Sequence, residues 1–176
     1  MRAEAVDRVR LIFRLFDADG NGLLEAGDFE LMAGRVVEAA QESDDSAKAA
    51  IVAAFRRYWA TLTTELDTDG DNRVSYDEFQ ACVLSPERFE ATIDEFAHAL
   101  AALGDPDGDG LIERPVFTAL MLAIGFERSN IDALFDAMRP TDDDQVPVSA
   151  WIAAIDEYYR PEAAGIVGDH LVPSAG

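Results

Sequence analysis

Residues 67–78 read Asp-Thr-Asp-Gly-Asp-Asn-Arg-Val-Ser-Tyr-Asp-Glu, and this stretch decides how the rest of the chain is interpreted. Numbered from Asp67, it has carboxylates at positions 1, 3, 5 and 12 and a hydroxyl, Ser75, at position 9. A hard cation such as Ca²⁺ takes about 6–8 oxygen ligands, and a twelve-residue loop can wrap it with alternate side chains. Val74, at position 8, is apolar and is expected to point into a core. The stretch therefore predicts a calcium-binding loop.

Two further stretches, residues 17–28 and 105–116, follow the same pattern. Each has Asp at positions 1 and 3, Asp or Asn at position 5 and an aliphatic residue at position 8. Phenylalanine follows each of the three loops at position 13, as Phe29, Phe79 and Phe117. Scattered acidic residues on solvated faces are common in an acidic chain. A joint pattern that occurs three times instead indicates repeated helix–loop–helix units. We call these stretches loop one (17–28), loop two (67–78) and loop three (105–116).

A fourth unit is recognisable only by its apolar framework. Phe135, Met138, Val146 and Trp151 stand where apolar residues stand around the first two loops. The corresponding loop four, residues 139–150, has Arg at position 1 and Ala at position 12. We interpret it as a unit that has kept its fold and lost its metal. An ordinary helix–loop–helix is the alternative, and it predicts the same structure without an ion.

Apolar residues recur at spacings of three and four between the loops, which predicts amphipathic helices. Helices are expected over about 3–16, 47–66 and 86–103, and the helix that follows loop two is expected to reach residue 84. The helix after loop one should begin near residue 26. Gly125 should end the helix that follows loop three, because glycine readily adopts the left-handed conformation found there.

The three loops resemble those of the EF-hand family, and the resemblance covers nearly the whole chain. Within that family the length, the four units and the bent middle are similar to the sarcoplasmic calcium-binding proteins and their calerythrin-like bacterial relatives. This resemblance implies a compact protein whose C-terminal segment folds back over an apolar cleft. The resemblance also implies that the protein acts as a calcium buffer. Asp at position 12 of the first loop, here Asp28, is common among the members of this group. Valine at the end of loop three departs from the pattern.

We expect an all-α fold in which two pairs of helix–loop–helix units pack into one compact globule. Pairing is expected because a single unit cannot bury its apolar face alone. The position-8 residues of paired loops should form short β bridges, Leu24 with Val74 and Ile112 with Val146.

The expected division of the chain follows the same pairing. Residues 1–84 form the first pair of hands, residues 85–160 the second pair, and residues 161–176 a C-terminal tail that folds back on the core. Ser85 and Pro86 are a helix-start signal, with a capping hydroxyl followed by proline at the first helical position. They predict a bend between the halves, because proline disfavours helical geometry in the residue before it.

Each of the three loops departs from the full pattern D-x-[DN]-x-[DN]-G-x₅-E at one position. Loop one ends in Asp28, one methylene shorter than Glu, which should narrow its preference for Ca²⁺ over Mg²⁺. Loop two has Asn72 at position 6, where the turn requires a positive φ that Asn tolerates. Loop three ends in Val116 and loses its clamping ligand. Loop two is therefore expected to bind most tightly and loop three most weakly, and Mg²⁺ is a possible competitor in loops one and three.

The predicted metal ligands are side-chain oxygens, together with the backbone carbonyl at position 7 of each loop. They are Asp17, Asp19, Asn21, Leu23, Glu25 and Asp28 in loop one, Asp67, Asp69, Asp71, Arg73, Ser75 and Glu78 in loop two, and Asp105, Asp107, Asp109, Leu111 and Glu113 in loop three.

The composition argues against several classes of binding partner. The 176 residues carry 35 acidic and 14 basic side chains, a net charge of −21, which disfavours nucleic acid and anionic membranes. The single cysteine, Cys82, cannot form an internal disulfide. No apolar run suits a signal peptide or a membrane span, so we expect a cytoplasmic, monomeric protein. Thirteen of the basic residues are Arg and only one is Lys, a bias typical of a GC-rich bacterial genome.

The sequence leaves two calcium-dependent functions open. A calcium buffer or transporter is favoured by the paired units and by only four methionines, because promiscuous sensor grooves are rich in methionine. A calcium sensor that opens an apolar groove for a target helix is the alternative, supported by the uneven quality of the loops. An enzyme is not expected. His98 and His170 have no Cys or His nearby in the sequence, and there is no glycine-rich phosphate loop or nucleophile motif.

Overall fold

The residues that the structure describes form eight α-helices, two short strands and two 3₁₀ helices. The computed structural model describes residues 3–84 and 86–173, with side chains for all of these except 81–86. The helices are α1 (Ala3–Phe16), α2 (Ala26–Ala39), α3 (Asp45–Leu66), α4 (Tyr76–Leu84), α5 (Glu90–Leu103), α6 (Arg114–Ile124), α7 (Arg128–Ala137) and α8 (Val148–Tyr158), and the strands are β1 (Leu111–Glu113) and β2 (Gln145–Pro147). The all-α prediction is confirmed. None of the described helices has the length and hydropathy to cross a bilayer.

The helix ends follow the capping chemistry of the sequence. Helix α3 begins slightly earlier than expected because the Asp44 carboxylate accepts a hydrogen bond from the backbone N–H of Ala47, at 2.7 Å. Such a cap satisfies one of the otherwise unpaired N–H groups of the first turn. Helix α6 ends at Gly125, which has a φ of +111°, as the sequence predicts.

The helix expected over 86–103 is divided in the structure. A one-turn 3₁₀ helix, Pro86–Arg88, comes first, and α5 begins at Glu90. Phe89 lies between them with its side chain buried in the core, and its carbonyl accepts from the N–H of Ile93 at 2.8 Å. Tight 3₁₀ turns are common where an α-helix starts. The expected capping role of Ser85 falls outside the described residues.

Paired loops meet through their position-8 residues, as predicted. Leu24 and Val74 form an antiparallel bridge with N···O distances of 2.9 and 3.0 Å. In the second pair, β1 and β2 are antiparallel, with Ile112 opposite Val146. All four side chains are fully buried. These bridges fix the two loops of each pair side by side.

The two halves pack into one globule, mainly through α3 against α5 and α2 against α6. Aromatic rings carry part of this contact, with Phe55 and Tyr58 of α3 lying 5.1 and 5.8 Å from the ring of Phe96 in α5. A buried hydrogen bond of 2.8 Å from Ser43 Oγ to the carbonyl of Leu103 also joins the halves. The prediction of a compact arrangement is confirmed.

The segment after α8 returns across the first helix of the chain. It contains a 3₁₀ helix, Val167–Leu171, that packs on α7, α8 and α1. Gly168 permits the close approach, because a Cβ there would lie 2.6 Å from the ring of Tyr158. Below this segment is an apolar cavity of about 60 Å³, whose walls come from both halves and from Leu171.

The buried side chain of Arg8 in α1 binds the end of α8 and the segment that follows it. Its side chain is only 1% exposed. Its guanidinium donates to the carbonyls of Tyr158 at 2.8 Å and of Arg160 and Ala163 at 3.0 Å each. It also forms an ion pair with Asp169. One buried cation therefore satisfies the carbonyl of Tyr158 at the end of α8, together with two carbonyls and a carboxylate of the segment that follows.

Candidate metal centre

Loop one brings three of its predicted ligands together. Carboxylate oxygens of Asp17, Asp19 and Asp28 all lie within 4.8 Å of one another. The two oxygens of Asp17 accept from the N–H groups of Asn21 and Gly22, at 2.9 Å each. The Asn21 side-chain oxygen accepts from the N–H of Leu23 at 2.8 Å, as expected for a short polar side chain in a turn. The backbone is thus wound around a group of oxygen atoms.

Asp28 is the buried member of this group, with 3% of its surface exposed. Its carboxylate accepts from the N–H groups of Ala18 at 3.1 Å and Glu25 at 2.8 Å, and so joins both arms of the loop. Burial raises the pKa of Asp28, and the nearby Asp19 carboxylate adds to this, while the backbone hydrogen bonds lower it. Clustered carboxylates repel one another, and a divalent cation would relieve that repulsion.

Loop two gathers Asp67, Asp69 and Asp71, whose carboxylate oxygens also lie within 4.8 Å of one another. The Asp67 carboxylate accepts from the N–H groups of Gly70 at 2.8 Å and Asn72 at 2.9 Å. Loop two therefore repeats the internal hydrogen bonding of loop one.

Glu78, at position 12 of loop two, is not a member of its acidic group. One carboxylate oxygen accepts from the N–H and hydroxyl of Thr68, at 3.0 and 2.8 Å, and the other from those of Ser75, at 2.9 and 2.8 Å. The backbone bonds from Ser75 and Thr68 are the main reason that the pKa of Glu78 falls to about 2. The carboxylate is thus ionised at neutral pH and joins positions 2 and 9, as Asp28 does in loop one. Its role as the closing ligand stays a prediction.

Loop three gathers Asp105, Asp107 and Asp109 in the same way. The Asp105 carboxylate accepts from the N–H groups of Asp109 at 3.1 Å and Gly110 at 3.0 Å. Position 12 differs, because the half-buried Val116 packs against the core and offers no acceptor to the two arms of the loop.

All four loops turn through a residue with positive φ at position 6. These residues are Gly22 at +85°, Asn72 at +60°, Gly110 at +84° and Asp144 at +60°. Asn and Asp are among the few residues other than Gly that tolerate this conformation. The expectation for Asn72 is confirmed, and loop four has kept the backbone turn of the other three.

Loop four is held by a guanidinium, which the sequence analysis missed. Arg114 contacts Asp144 at 2.8 Å and Asp136 at 2.6 Å, and its guanidinium lies 4.3 Å from the centre of the Phe135 ring. These hydrogen bonds, first that to Asp144, raise the pKa of Arg114, and Arg114 lowers the pKa of Asp144. The available signal was an Arg at position 10 of loop three, directly after the strand that pairs with loop four. That loop four binds no ion remains a prediction.

The three acidic groups bring together the kind of ligand atom that Ca²⁺ takes. Oxygens on opposite sides of a calcium ion lie up to about 5 Å apart, because each is bound at roughly 2.3–2.6 Å. The carboxylate oxygens of each group lie within 4.8 Å of one another, close enough for one cation to contact all three residues. All of the candidate ligand atoms in these groups are carboxylate oxygens, which favours a hard cation over a transition metal.

Comparison with known proteins agrees with this geometry. Residues 6–84 match the EF-hand domain pair family. Parvalbumin beta of Graptemys geographica is 30% identical over 83 residues, which are 47% of this chain and 67% of that protein. The chain belongs to the EF-hand family.

Other similar proteins cover this EF-hand chain almost completely. Calerythrin of Saccharopolyspora erythraea is 24% identical over 164 residues, covering 89% of this chain and 93% of calerythrin. A calcium-binding protein of Streptomyces coelicolor, solved in a study of prokaryotic calcium-mediated regulation, has 25% identity and a TM-score of 0.74, with 90% and 99% of the chains covered. The amphioxus sarcoplasmic calcium-binding protein shares the fold, with 17% identity, a TM-score of 0.73 and full coverage of both chains. The resemblance predicted from the sequence is confirmed, and this is a calcium-binding EF-hand protein.

A further structural neighbour bears on magnesium. The ctenophore photoprotein berovin was solved with Mg²⁺ bound in all three of its Ca²⁺-binding loops, and it shares the fold at 14% identity and a TM-score of 0.68, with 86% of each chain covered.

Val116→Glu is expected to raise the calcium affinity of loop three by at least about tenfold, because ligand charge count tunes EF-hand affinity over several decades. The change supplies the missing carboxylate at position 12. Calorimetry would measure the affinity, with Trp151 fluorescence in a Trp59→Phe background as the signal from the second pair. Val116→Gln is the matched control, since it has similar size without the charge. Equal affinities for the two variants would contradict the assignment of position 12 as a ligand.

Proposed function

We propose that this EF-hand protein is an intracellular calcium buffer or transport protein that binds two to three Ca²⁺. Loops one and two carry the main sites, and loop three carries a weaker one. The ligands are those predicted from the sequence, including the backbone carbonyls of Leu23, Arg73 and Leu111. Bound Ca²⁺ would supply positive charge to loops whose carboxylates otherwise repel one another. Three ions would reduce the net charge from −21 to −15.

The observation that supports the buffer role is the apolar cavity beneath the C-terminal segment. A sensor needs a groove that a target helix can enter. Here the chain's own C-terminal segment lies over the apolar cavity, with Leu171 only 6% exposed. Arg8 holds that segment through the carbonyls of Arg160 and Ala163 and the carboxylate of Asp169. Opening the cleft would require these buried polar contacts to break.

The division of the chain belongs to the same proposal. Residues 1–84 and 85–160 act as two pairs of hands, and residues 161–176 act as the cover. Mg²⁺ is a competitor above all in loops one and three, which lack Glu at position 12.

The proposed partners are calcium ions alone. The net charge of −21 supports a protein that binds neither nucleic acid nor anionic membranes. We further propose that the protein is monomeric, that it is cytoplasmic and that it is not an enzyme. The single cysteine supports this location, because disulfides are typical of oxidising compartments.

A titration with an environment-sensitive apolar dye tests the buffer role. The full chain is titrated with Ca²⁺ at fixed Mg²⁺ in the presence of the dye. A buffer should leave dye fluorescence almost unchanged while the loops fill. A large rise in dye binding on calcium addition would contradict the buffer role and support a sensor.

The sensor remains the second candidate because of one comparison. The Streptomyces coelicolor protein, with 25% identity to this chain, was solved in a study of calcium-mediated regulation. In a sensor, calcium in loop one would move α1, and with it Arg8, away from the C-terminal segment. Such a change would give the positive result of the dye titration.

A further inference from the structure

In each half of the molecule, the position-7 side chain of the second loop contacts the glutamate at position 9 of the first loop. In the first pair, Arg73 at position 7 of loop two forms an ion pair with Glu25 at position 9 of loop one, at 2.8 Å. In the second pair, Gln145 at position 7 of loop four donates to Glu113 at position 9 of loop three, at 3.2 Å. The geometry is the same in both pairs, because each β bridge sets these positions beside one another. The two contacts differ in charge.

Glu25 has one partner in each loop of the pair, and each contacts a different carboxylate oxygen. Besides Arg73, its carboxylate accepts from the Asn21 side-chain amide at 3.2 Å. The Glu25 side chain is 34% exposed and that of Arg73 is 50% exposed, so the pair is partly solvated. A Ca²⁺ ion in loop one would face a guanidinium that both repels it and competes for this carboxylate.

We propose that the side chain at position 7 of the second loop sets the calcium affinity of its partner loop, and that Arg73 lowers the affinity of loop one. This inference rests on the proposed calcium sites in loops one and two. Arg73 is a positioning residue shared by two sites. Its carbonyl is a proposed ligand of loop two, and its guanidinium acts on loop one through Glu25. Because coupling between sites is reciprocal, calcium in loop one would alter the affinity of loop two through the same residue.

Arg73→Gln is the direct test, since it gives the first pair the neutral side chain that the second pair already has. The affinity of loop one for Ca²⁺ is expected to rise about three- to tenfold at low salt, from the loss of one nearby positive charge. In about 1 M KCl, where the Debye length is roughly 3 Å, most of the gain should disappear. Calorimetry and Trp59 fluorescence would measure both conditions.

Three further variants identify the route. Arg56→Gln removes the same charge from the same half, at an exposed ion pair with Glu30, and should change loop-one affinity little. In a Glu25→Gln background, Arg73→Gln should give a smaller gain than in wild type, because competition for the carboxylate is gone and only direct repulsion of the ion remains. Conversely, Gln145→Arg should lower the affinity of loop three.

A readout without calcium comes from ¹⁵N NMR of the full chain in a chelator. The Nε–H signal of Arg73 should shift on Glu25→Gln and should stay in place on Glu30→Gln. If wild-type protein binds no Ca²⁺, the proposed function fails, whatever this signal does. If wild-type binds Ca²⁺ but Arg73→Gln matches Arg56→Gln in affinity, or the Nε–H signal does not respond to Glu25, the inference about Arg73 is overturned.

Discussion

Glu78→Gln is expected to weaken calcium binding at loop two, the tightest proposed site, by at least about 10–100-fold. Loss of a residue that merely supports a metal ligand already costs that much, and Glu78 is proposed as a ligand itself. Glutamine keeps the length of the side chain but has one oxygen and no charge, so it cannot close the shell with two oxygens. Calorimetry on wild-type and variant protein would count the sites and give their affinities.

Asp77→Asn is the matched control for this variant. Asp77 stands beside Glu78 at position 11, is exposed to solvent and is not a predicted ligand. It makes the same change of net charge without touching the proposed shell. An unchanged site count and affinity for Glu78→Gln would refute the ranking of loop two as the tightest site.

Arg8→Met should have the largest effect on stability, with a loss of about 2–4 kcal/mol in the free energy of unfolding. Removing one partner of a buried polar network leaves the others unsatisfied. Here the unsatisfied groups would be the carbonyls of Tyr158, Arg160 and Ala163 and the carboxylate of Asp169. Methionine keeps much of the apolar stem, so lost packing should contribute less. Urea unfolding at saturating Ca²⁺ would measure the change.

Arg8→Met should also bind the apolar dye, because the hydrogen bonds and the ion pair of Arg8 no longer hold the C-terminal segment over the apolar cavity. Arg10→Met is the control on the same helix, since the Arg10 side chain is 56% exposed and pairs only with Asp7 in the described contacts. Asp169→Asn should give a smaller effect than Arg8→Met, because the three carbonyls keep their donor. If Arg8→Met unfolds as wild-type does and binds no dye, Arg8 does not hold the cover.

The loops and their pairing could be predicted because the signal is local and repeated. Carboxylates at fixed positions, an aliphatic residue at position 8 and an aromatic at position 13 identify each unit without reference to the rest of the chain. The bridge between Leu24 and Val74 follows from the same register. Asn72 was predictable as well, since few residues accept the φ of +60° that the turn imposes.

The contacts of the buried Arg8 and of Arg114 were not predictable, because they join distant parts of the chain. Arg8 reads as one more charge on an amphipathic helix, yet its main partner carbonyl, that of Tyr158, lies 150 positions away. Arg114 likewise acts on Asp144, 30 positions later. No local pattern says which of thirteen arginines will be buried. The position of Glu78 depends on hydrogen bonds from Thr68 and Ser75, which compete with its role as a ligand.

Calcium calorimetry on the full chain at fixed Mg²⁺ tests the central claim most directly. The account predicts two sites of higher affinity, from loops one and two, and a weaker third from loop three. Binding of no Ca²⁺ up to millimolar concentration would contradict it.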